Sequence, residues 1–233
     1  MTDRLSEQAS SIGALAEPVR GALYAFVVAQ REPVSREQAA DGVDVPVHTA
    51  KFHLDKLVEE GLLDVEFRRL TGRTGPGAGR PSKLYLRSAR ELSVSLPERR
   101  YDVVGRILAG GVVRAGAEDV PVEEALAQVA TEEGRRVAGA ATATGEDIDR
   151  VGEVLRDQGY EPARRDDDLL LANCPFDALA REHTELVCGL NESFVHGVVD
   201  GLGCTGLVAR LDPEDGLCCV KVRPSRPRRP RCT

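Results

Sequence analysis

Six cysteines are the most reactive side chains of this 233-residue chain, and all lie beyond residue 173, at Cys174, Cys188, Cys204, Cys218, Cys219 and Cys232. No Cys-x-x-Cys pair occurs, so the usual signal of a zinc knuckle is missing. Thiolates spread over several elements can hold a buried iron–sulfur cluster on which the surrounding fold depends. The pattern predicts cysteine-ligated metal chemistry, with an iron–sulfur cluster ahead of zinc or a thiol–disulfide switch.

The predicted metal ligands are Cys174, Cys188, Cys204 and Cys218. Cys219 is a rival to Cys218, because adjacent residues of the predicted last strand face opposite sides and only one can readily join the site. Cys218 shares its face with two valines, so burial favours it. His183 is either a further ligand or a structural histidine. Cys232, in an arginine-rich tail, is expected to be an exposed thiol with no part in the site.

Two roles that need no metal are also open for the cysteines. Free cysteine often fills a core as a small apolar residue, which would account for one or two of the six. A nucleophilic Cys188 with His183 nearby would instead make the chain an enzyme. At five residues apart on a helix these two side chains point differently, and no oxyanion loop is recognisable. The sequence therefore predicts a protein without enzymatic activity.

The elements expected to position the cysteines form an α+β domain over residues 92–223, which would sense the cofactor and dimerise. Helices are predicted over 101–115, 122–141, 146–158 and 175–202, and strands over 160–164, 169–173, 206–211 and 217–222. The last helix is either continuous or broken near His183. Its apolar stripe is Leu186, Leu190, Phe194 and Val198. The expected architecture is an antiparallel sheet with helices on one face. Residues 224–233 are expected to form a disordered basic tail.

The N-terminal half carries the pattern of a helix-turn-helix. Residues 17–30 place apolar side chains at three- and four-residue spacing, which predicts a supporting helix. Ser35, with Gln38 three residues later, predicts a capping box for a short helix that ends at Gly42. Asp44 is expected to cap a longer helix. The inward stripe of that helix is Ala50, Leu54, Leu57 and Val58. This geometry places a recognition helix in the major groove.

A β-ribbon wing is predicted after the longer helix. Residues 63–67 alternate as a strand, residues 72–81 follow as a flexible basic loop, and residues 83–86 form a second strand. Basic side chains of such a wing contact phosphate or reach into the minor groove. The predicted DNA-binding residues are His48, Thr49, Lys51, Phe52, His53, Lys56, Arg73, Arg80 and Lys83. His53 has two interpretations, a base contact or a packed contact between helices.

The charge of the chain is uneven. The formal net charge of −7 argues against a nucleic-acid partner, yet residues 67–90 hold seven basic residues and no acid, and residues 221–233 hold six and no acid. A basic stripe is typical of a phosphate-contacting surface, because only the field within a Debye length of about 8 Å acts on the bound backbone. A solvated charged loop is the alternative for residues 67–90.

The sequence offers no sign of a membrane segment. It contains no run of about eighteen apolar residues, and its first residues are polar and acidic instead of basic and then apolar. The expected location is the cytoplasm.

The residues HTAKFHLDKLVEEGLL, followed by GRTGPGAGRPSKLY, resemble the winged-helix regulators of the ArsR and DeoR type, in which a similar helix precedes a wing bearing Gly-Arg-Pro. The resemblance covers residues 12–90. It implies a winged helix-turn-helix domain over residues 1–91 that binds double-stranded DNA. The fold class expected for the whole chain is therefore α+β, with an N-terminal winged helix-turn-helix joined to a C-terminal sensor domain of helices and an antiparallel sheet.

The segment NCPFDALAREHTELVC, with the later adjacent cysteines, resembles the C-terminal domain of the repressors of the suf operon, over residues 173–222. The resemblance implies a 4Fe-4S cluster and control of genes for iron–sulfur cluster assembly. The cysteine spacing of that family favours Cys219 over Cys218. The prediction is a homodimeric regulator and redox sensor, a repressor by this resemblance, whose affinity for a palindromic DNA operator is set by the cluster. A zinc site or a thiol–disulfide switch is the alternative.

Overall fold

The computed structural model describes residues 2–69 and 81–225, with the side chains of residues 2–5 left aside. The chain divides into two compact units, Met1–Val94 and Ser95–Thr233. The sequence placed the boundary after residue 91. Each unit has its own buried apolar cluster.

Four helices and a short 3-10 turn form most of the first unit: α1 (Thr2–Gly13), Ala14–Ala16, α2 (Pro18–Ala29), α3 (Arg36–Val43) and α4 (Val47–Glu59). Helix α1 was not expected from the sequence. Helix α2 begins where Glu17 accepts hydrogen bonds from the backbone N–H groups of Val19 and Arg20, with Pro18 in the first turn. The inward stripe of α4 is buried as expected at Ala50, Leu54 and Leu57.

Helix α3 begins with the predicted capping box, in which Ser35 and Gln38 exchange side-chain-to-backbone hydrogen bonds. Its end differs from the prediction. Asp44 does not cap α4; it closes α3 in the left-handed conformation, with φ of 55°. Gly42 lies inside α3, where an added Cβ would clash with the ring of Phe26. A side chain at this position would force the Phe26 ring of α2 to move, so the glycine serves close packing and not a turn.

A three-stranded antiparallel sheet completes the first unit, with strands β1 (Val34–Ser35), β2 (Leu63–Arg68) and β3 (Ser82–Arg87) in the order β1-β3-β2. The β2–β3 ribbon is the predicted wing, and β1 adds a short strand that the sequence did not indicate. Leu63 pairs with Arg87 and Arg68 with Ser82, so the register brings Phe67 opposite Lys83. The loop that would form the wing tip lies outside the described residues.

The second unit consists of helices and an antiparallel sheet, as predicted. Its helices are α5 (Tyr101–Glu118), α6 (Val122–Gly139), α7 (Asp147–Asp157), α8 (Asp177–Glu182) and α9 (Thr184–Gly201), and its strands are β4 (Pro162–Arg165), β5 (Asp168–Leu171), β6 (Leu207–Leu211) and β7 (Val220–Pro224). The strand order is β4-β5-β7-β6, with every pairing antiparallel. The fold class expected from the sequence is confirmed.

Helix α9 is the central element of the second unit. It packs so closely on α6 that a Cβ at Gly134 would clash with the Phe194 carbonyl, and a Cβ at Gly197 would clash with the Thr131 carbonyl. The long predicted helix does break at His183, which separates α8 from α9. Leu186, expected on its apolar stripe, is instead 40% exposed.

The last strand begins at Val220 and not at residue 217 as predicted, and this changes the geometry of two cysteines. Cys218 and Cys219 do not lie in β7, which begins at Val220, but in the bend that precedes it. The alternation of a strand therefore does not apply to them, and the reason for admitting only one of the two to the site was wrong. In the structure Cys218 interacts with Cys174, and Cys219 interacts with Cys188.

Candidate cysteine site and nucleic-acid interface

Three segments that are distant in sequence meet at the cysteines. Cys174 follows β5 and precedes α8, Cys188 lies near the start of α9, and Cys218 and Cys219 precede β7. The backbone N–H of Cys218 donates to the carbonyl of Leu171, 2.8 Å away, which ties the bend before β7 to the end of β5. The sheet thus places the second cysteine segment beside the first.

The four thiols interact in two pairs. The thiol of Cys174 donates a hydrogen bond to Cys218, and this bond, with burial, raises the pKa of Cys174 well above its ordinary value. Burial raises the pKa of Cys188 to about 12, and a hydrogen bond to Cys219 adds to the effect. A negative charge on Cys218 raises the pKa of Cys188 further. One member of each pair is therefore held as the proton donor.

Cys218 is the acceptor with the most donors. The hydrogen bond from Cys174 lowers its pKa to about 7, with burial acting in the opposite direction. Backbone N–H groups of Val220 and Cys219 lower this pKa further, as does the side-chain amide of Asn191, whose Nδ2 lies 3.2 Å from the sulfur. Several donors directed at one sulfur stabilise a thiolate there.

Asn191 is a functional candidate that the sequence interpretation missed. It is 1% exposed on α9, one turn after Cys188, and its Oδ1 accepts a hydrogen bond from the hydroxyl of Tyr160. Tyr160 is itself fully buried, stacked on Phe194 and edge-on to Phe176. The hydroxyl fixes which end of the amide faces Cys218. A polar residue among the buried positions of α9 was the signal available in the sequence.

Cys204 lies in a different environment from the other predicted ligands. It is fully buried, and its sulfur is 3.9 Å from the carbonyl oxygens of Asp147 and Leu202 and from the Arg150 guanidinium. Burial raises its pKa, and no other cysteine contributes to that shift. The structure brings Cys219, not Cys204, to the remaining three cysteines.

The other predicted site residues do not join the four thiols. His183 is exposed at the junction of α8 and α9. Cys232 lies outside the described residues. Within the described ranges, no three His, Cys, Asp or Glu side chains are arranged as metal ligands.

Helix α4 presents most of the predicted DNA-binding side chains to solvent. His48 and Lys51 are exposed, Thr49 is half-buried, and Phe52 is 67% exposed although it is a large aromatic. His53 faces the other way. Its side chain is 13% exposed and its Nδ1 lies 3.3 Å from the carboxylate of Glu17, at the start of α2. This geometry favours the packed contact between helices over a base contact.

Asp55 links α4 to the wing. Its Oδ1 accepts hydrogen bonds from Lys83 at 2.6 Å and from the Tyr85 hydroxyl at 2.9 Å, and its Oδ2 lies 3.9 Å from Lys51. Partial burial acts to raise the pKa of Asp55, but the bonds from Lys83 and Tyr85 outweigh it and lower the pKa. Lys56 is paired too, with Glu59 at 3.2 Å. The lysines of this surface are therefore already held by acids of the same unit.

The structure describes only part of each of the two basic runs of the sequence. In the first, Arg73 and Arg80 lie outside the described residues. In the second, Lys221 is 2% exposed and bonds to Glu214 at 2.6 Å and Asp212 at 3.1 Å, while Arg223 pairs with Asp168 at 2.9 Å. These two cations stabilise the second sheet and do not form part of a free basic tail.

The comparisons with known proteins agree with the first unit. A family model described as a helix-turn-helix domain matches residues 15–66, which run from the 3-10 turn through most of β2. No match was found among curated proteins or solved structures. The matched domain supports a DNA-binding transcriptional regulator. In the part of the chain that is described, no single helix is long and apolar enough to cross a membrane. One bent pair of helices, Ser6–Ala16 with Pro18–Ala29, has the length and composition of a membrane span when the two are taken together.

Proposed function

We propose that this chain is a transcriptional regulator whose affinity for an operator in double-stranded DNA is controlled by an iron–sulfur cluster, of the 4Fe-4S type, in the second unit. The observation that carries the proposal is the meeting of four thiols from three separate segments. The proposed ligands are Cys174, Cys188, Cys218 and Cys219. Cys204, a predicted ligand, is left out because its sulfur has other neighbours.

The donor set fits such a group. Sulfur is the ligand that iron–sulfur clusters require, and the thiolate is the form that binds. Binding would replace the two thiol-to-thiol hydrogen bonds and release their protons, since both donors are otherwise protonated. Asn191 would keep its bond to Cys218, a ligand-sulfur contact of the kind that tunes such sites. The bound cluster would supply a charge and an oxidation state that respond to oxidant and iron supply.

The first unit would provide the output. Helix α4 offers His48, Lys51 and Phe52 to the major groove, and Lys83 on the wing strand β3 lies beside it. A homodimer would present two such helices to half-sites about one helical turn apart. Cluster binding changes DNA affinity only to the extent that the cluster-bound and cluster-free forms of the chain differ in their affinity for DNA.

The test begins with anaerobic incubation of the full chain with ferrous iron and sulfide. We expect visible sulfide-to-iron absorption and bound iron and sulfide. Single serine variants of Cys174, Cys188, Cys218 and Cys219 should bind less. Cys204→Ala is the matched control, a buried cysteine of the same unit that should bind iron as the wild type does. A colourless protein without iron would refute the proposal, and equal loss in the control would refute the ligand set.

DNA binding is measured on the same samples. The probe is a duplex pool enriched by the wild-type protein from random sequence, followed by fluorescence anisotropy with and without the cluster. Binding should weaken as salt rises, since phosphate contacts release counterions. Affinity that ignores salt would point to a protein partner for the first unit.

The contact between Cys174 and Cys218 supports a second candidate, a zinc site or a thiol–disulfide switch. Four thiolates suit tetrahedral zinc, and two touching thiols can form a disulfide when an oxidant accepts their two electrons and two protons. Metal analysis separates these cases from the cluster. Zinc without sulfide identifies the first, and a mass loss of two hydrogen atoms without metal identifies the second.

A further inference from the structure

The segment that leads from the first unit into the second lies on the turn that carries Cys174. Arg99 follows the unit boundary by a few residues, and its Nη1 donates to the carbonyl oxygen of Cys174 at 2.7 Å. Its Nη2 lies 3.4 Å from the carboxylate of Asp177, in the first turn of α8. The backbone N–H of Asp177 donates to that same Cys174 carbonyl, at 3.2 Å. One carbonyl thus holds both the turn and the arginine.

The next residue repeats the attachment. The backbone N–H of Arg100 donates to the carbonyl of Pro175 at 3.1 Å, and its guanidinium reaches the carbonyl of Asp157, at the end of α7, at 3.3 Å. Glu98 packs against Gly159, where an added Cβ would stand 3.2 Å from the Glu98 side chain. Three consecutive residues before α5 are therefore fixed to the Cys174–Pro175 turn and to the end of α7.

We propose that Arg99 is a positioning residue that couples the occupancy of the cysteine site to the segment that leads from the first unit into the second. The proposal rests on the proposed function and adds the route by which the site acts. The carbonyl that Arg99 binds is separated from the Cys174 side chain by a single Cα, so a ligand that draws the sulfur to a new position also reorients the carbonyl. The side chain of Arg99 is 20% exposed.

A largely buried guanidinium follows its acceptors, because leaving it without a hydrogen bond in low dielectric is costly. Movement of the Cys174 carbonyl is therefore passed to Arg99 and to the chain before it. Without this side chain, the turn can respond to a ligand while the segment before α5 does not. The sulfur ligands themselves are unchanged, since Arg99 bonds to backbone and carboxylate oxygens only.

The test uses full-length Arg99→Ala and Arg99→Lys, with Arg114→Ala as the matched control. Arg114 is 25% exposed on α5 and bonds to Glu132 at 2.8 Å, away from the cysteine segments. Iron content, the DNA dissociation constant with and without the cluster, and hydrogen exchange of the peptide containing Arg100 are measured for each.

We expect wild-type iron content in every variant. We define the coupling ratio as the ratio between the DNA dissociation constants measured with and without the cluster. In the wild type it should be about tenfold, which is typical of allosteric proteins. It should fall to about twofold or less in Arg99→Ala and be partly restored in Arg99→Lys. The control should keep the wild-type ratio. In the cluster-free protein, the Arg100 amide should exchange faster in Arg99→Ala, because its segment has lost an anchor.

Other results separate the possible failures. If the wild type binds iron but its DNA affinity ignores the cluster, the proposed function fails, and the coupling role fails with it. If the wild type responds and Arg99→Ala responds equally, the coupling role alone is overturned. A variant that loses iron and binds DNA more weakly in both states would show a merely structural residue, which also overturns the inference.

Discussion

Asp55 places a negative charge in the middle of the surface proposed to face DNA. It holds Lys83 at 2.6 Å and lies 3.9 Å from Lys51, so both cations are partly neutralised before any phosphate approaches. Replacing Asp55 with asparagine removes this charge and keeps an oxygen that can accept from Tyr85. We expect Asp55→Asn to bind duplex DNA more tightly and with a steeper dependence on salt.

The size of the effect follows from counterion release. When the logarithm of the binding constant is plotted against the logarithm of the salt concentration, each new phosphate contact steepens the slope by about 0.9. If Lys83 alone is released, the DNA-binding constant of Asp55→Asn should exceed that of the wild type about eightfold at about 0.1 M salt and about threefold at about 0.3 M. These factors take the two constants as equal at about 1 M salt. The lost ion pair is partly exposed, at 36% and 34%, and costs about 0.2–1 kcal/mol of stability, which leaves the unit folded.

Fluorescence anisotropy on a random-sequence duplex between 0.05 and 0.5 M salt, about the range of such titrations, measures both quantities. Asp149→Asn is the control, since it makes the same charge change on α7 of the second unit, where the carboxylate lies 3.7 Å from Arg164. An unchanged slope and affinity in Asp55→Asn would refute the proposed DNA surface. Equal gains in DNA affinity in the two variants would show that the effect comes from net charge alone.

Three further predictions test the second unit. Asn191→Leu leaves the buried Tyr160 hydroxyl unpaired and should lower the free energy of unfolding in urea by about 1–3 kcal/mol, whereas adding Tyr160→Phe should cost little more. Gly134→Ala should lose about 1–3 kcal/mol or more to the clash with α9, while Gly139→Ala, with open space around it, should gain about 0.5–1 kcal/mol in the same assay. Glu214→Gln should destabilise the unit at neutral pH, because hydrogen-bonded ion pairs with Arg165 and Lys221 hold the pKa of Glu214 at about 2. The stability that Glu214 contributes is present above the ordinary carboxyl pKa and is lost as pH falls toward about 2, which urea titrations at several pH values measure.

The helix-turn-helix was predictable because its signals are local. The capping box of Ser35 and Gln38 and the apolar spacing of α4 need only neighbouring residues, and both are present in the structure. The same local rules predict a helix end at Gly42. Its actual role depends on Phe26, sixteen positions earlier, whose ring fills the space beside it. Local rules give no access to such a tertiary contact.

The cysteine site shows the same division. The sequence identified the cysteines as a group, but which of them meet depends on where β7 begins. A strand start at residue 217 would have set Cys218 and Cys219 on opposite faces, whereas the observed start at Val220 leaves them in a bend where each contacts a different partner. Boundaries of short strands are set by pairing with other strands, which no single segment encodes.

The packing of α9 determines which part of the site can respond to a ligand. Carbonyls of α6 and α9 lie against Gly197 and Gly134, where not even a methyl group fits, so α9 cannot slide without separating the two helices. Cys188 and Asn191 therefore have fixed backbones. Cys174 and Cys218 lie in connecting segments outside helices and strands. Any adjustment to a ligand must then come from those segments, and the Cys174 turn is the one that holds Arg99.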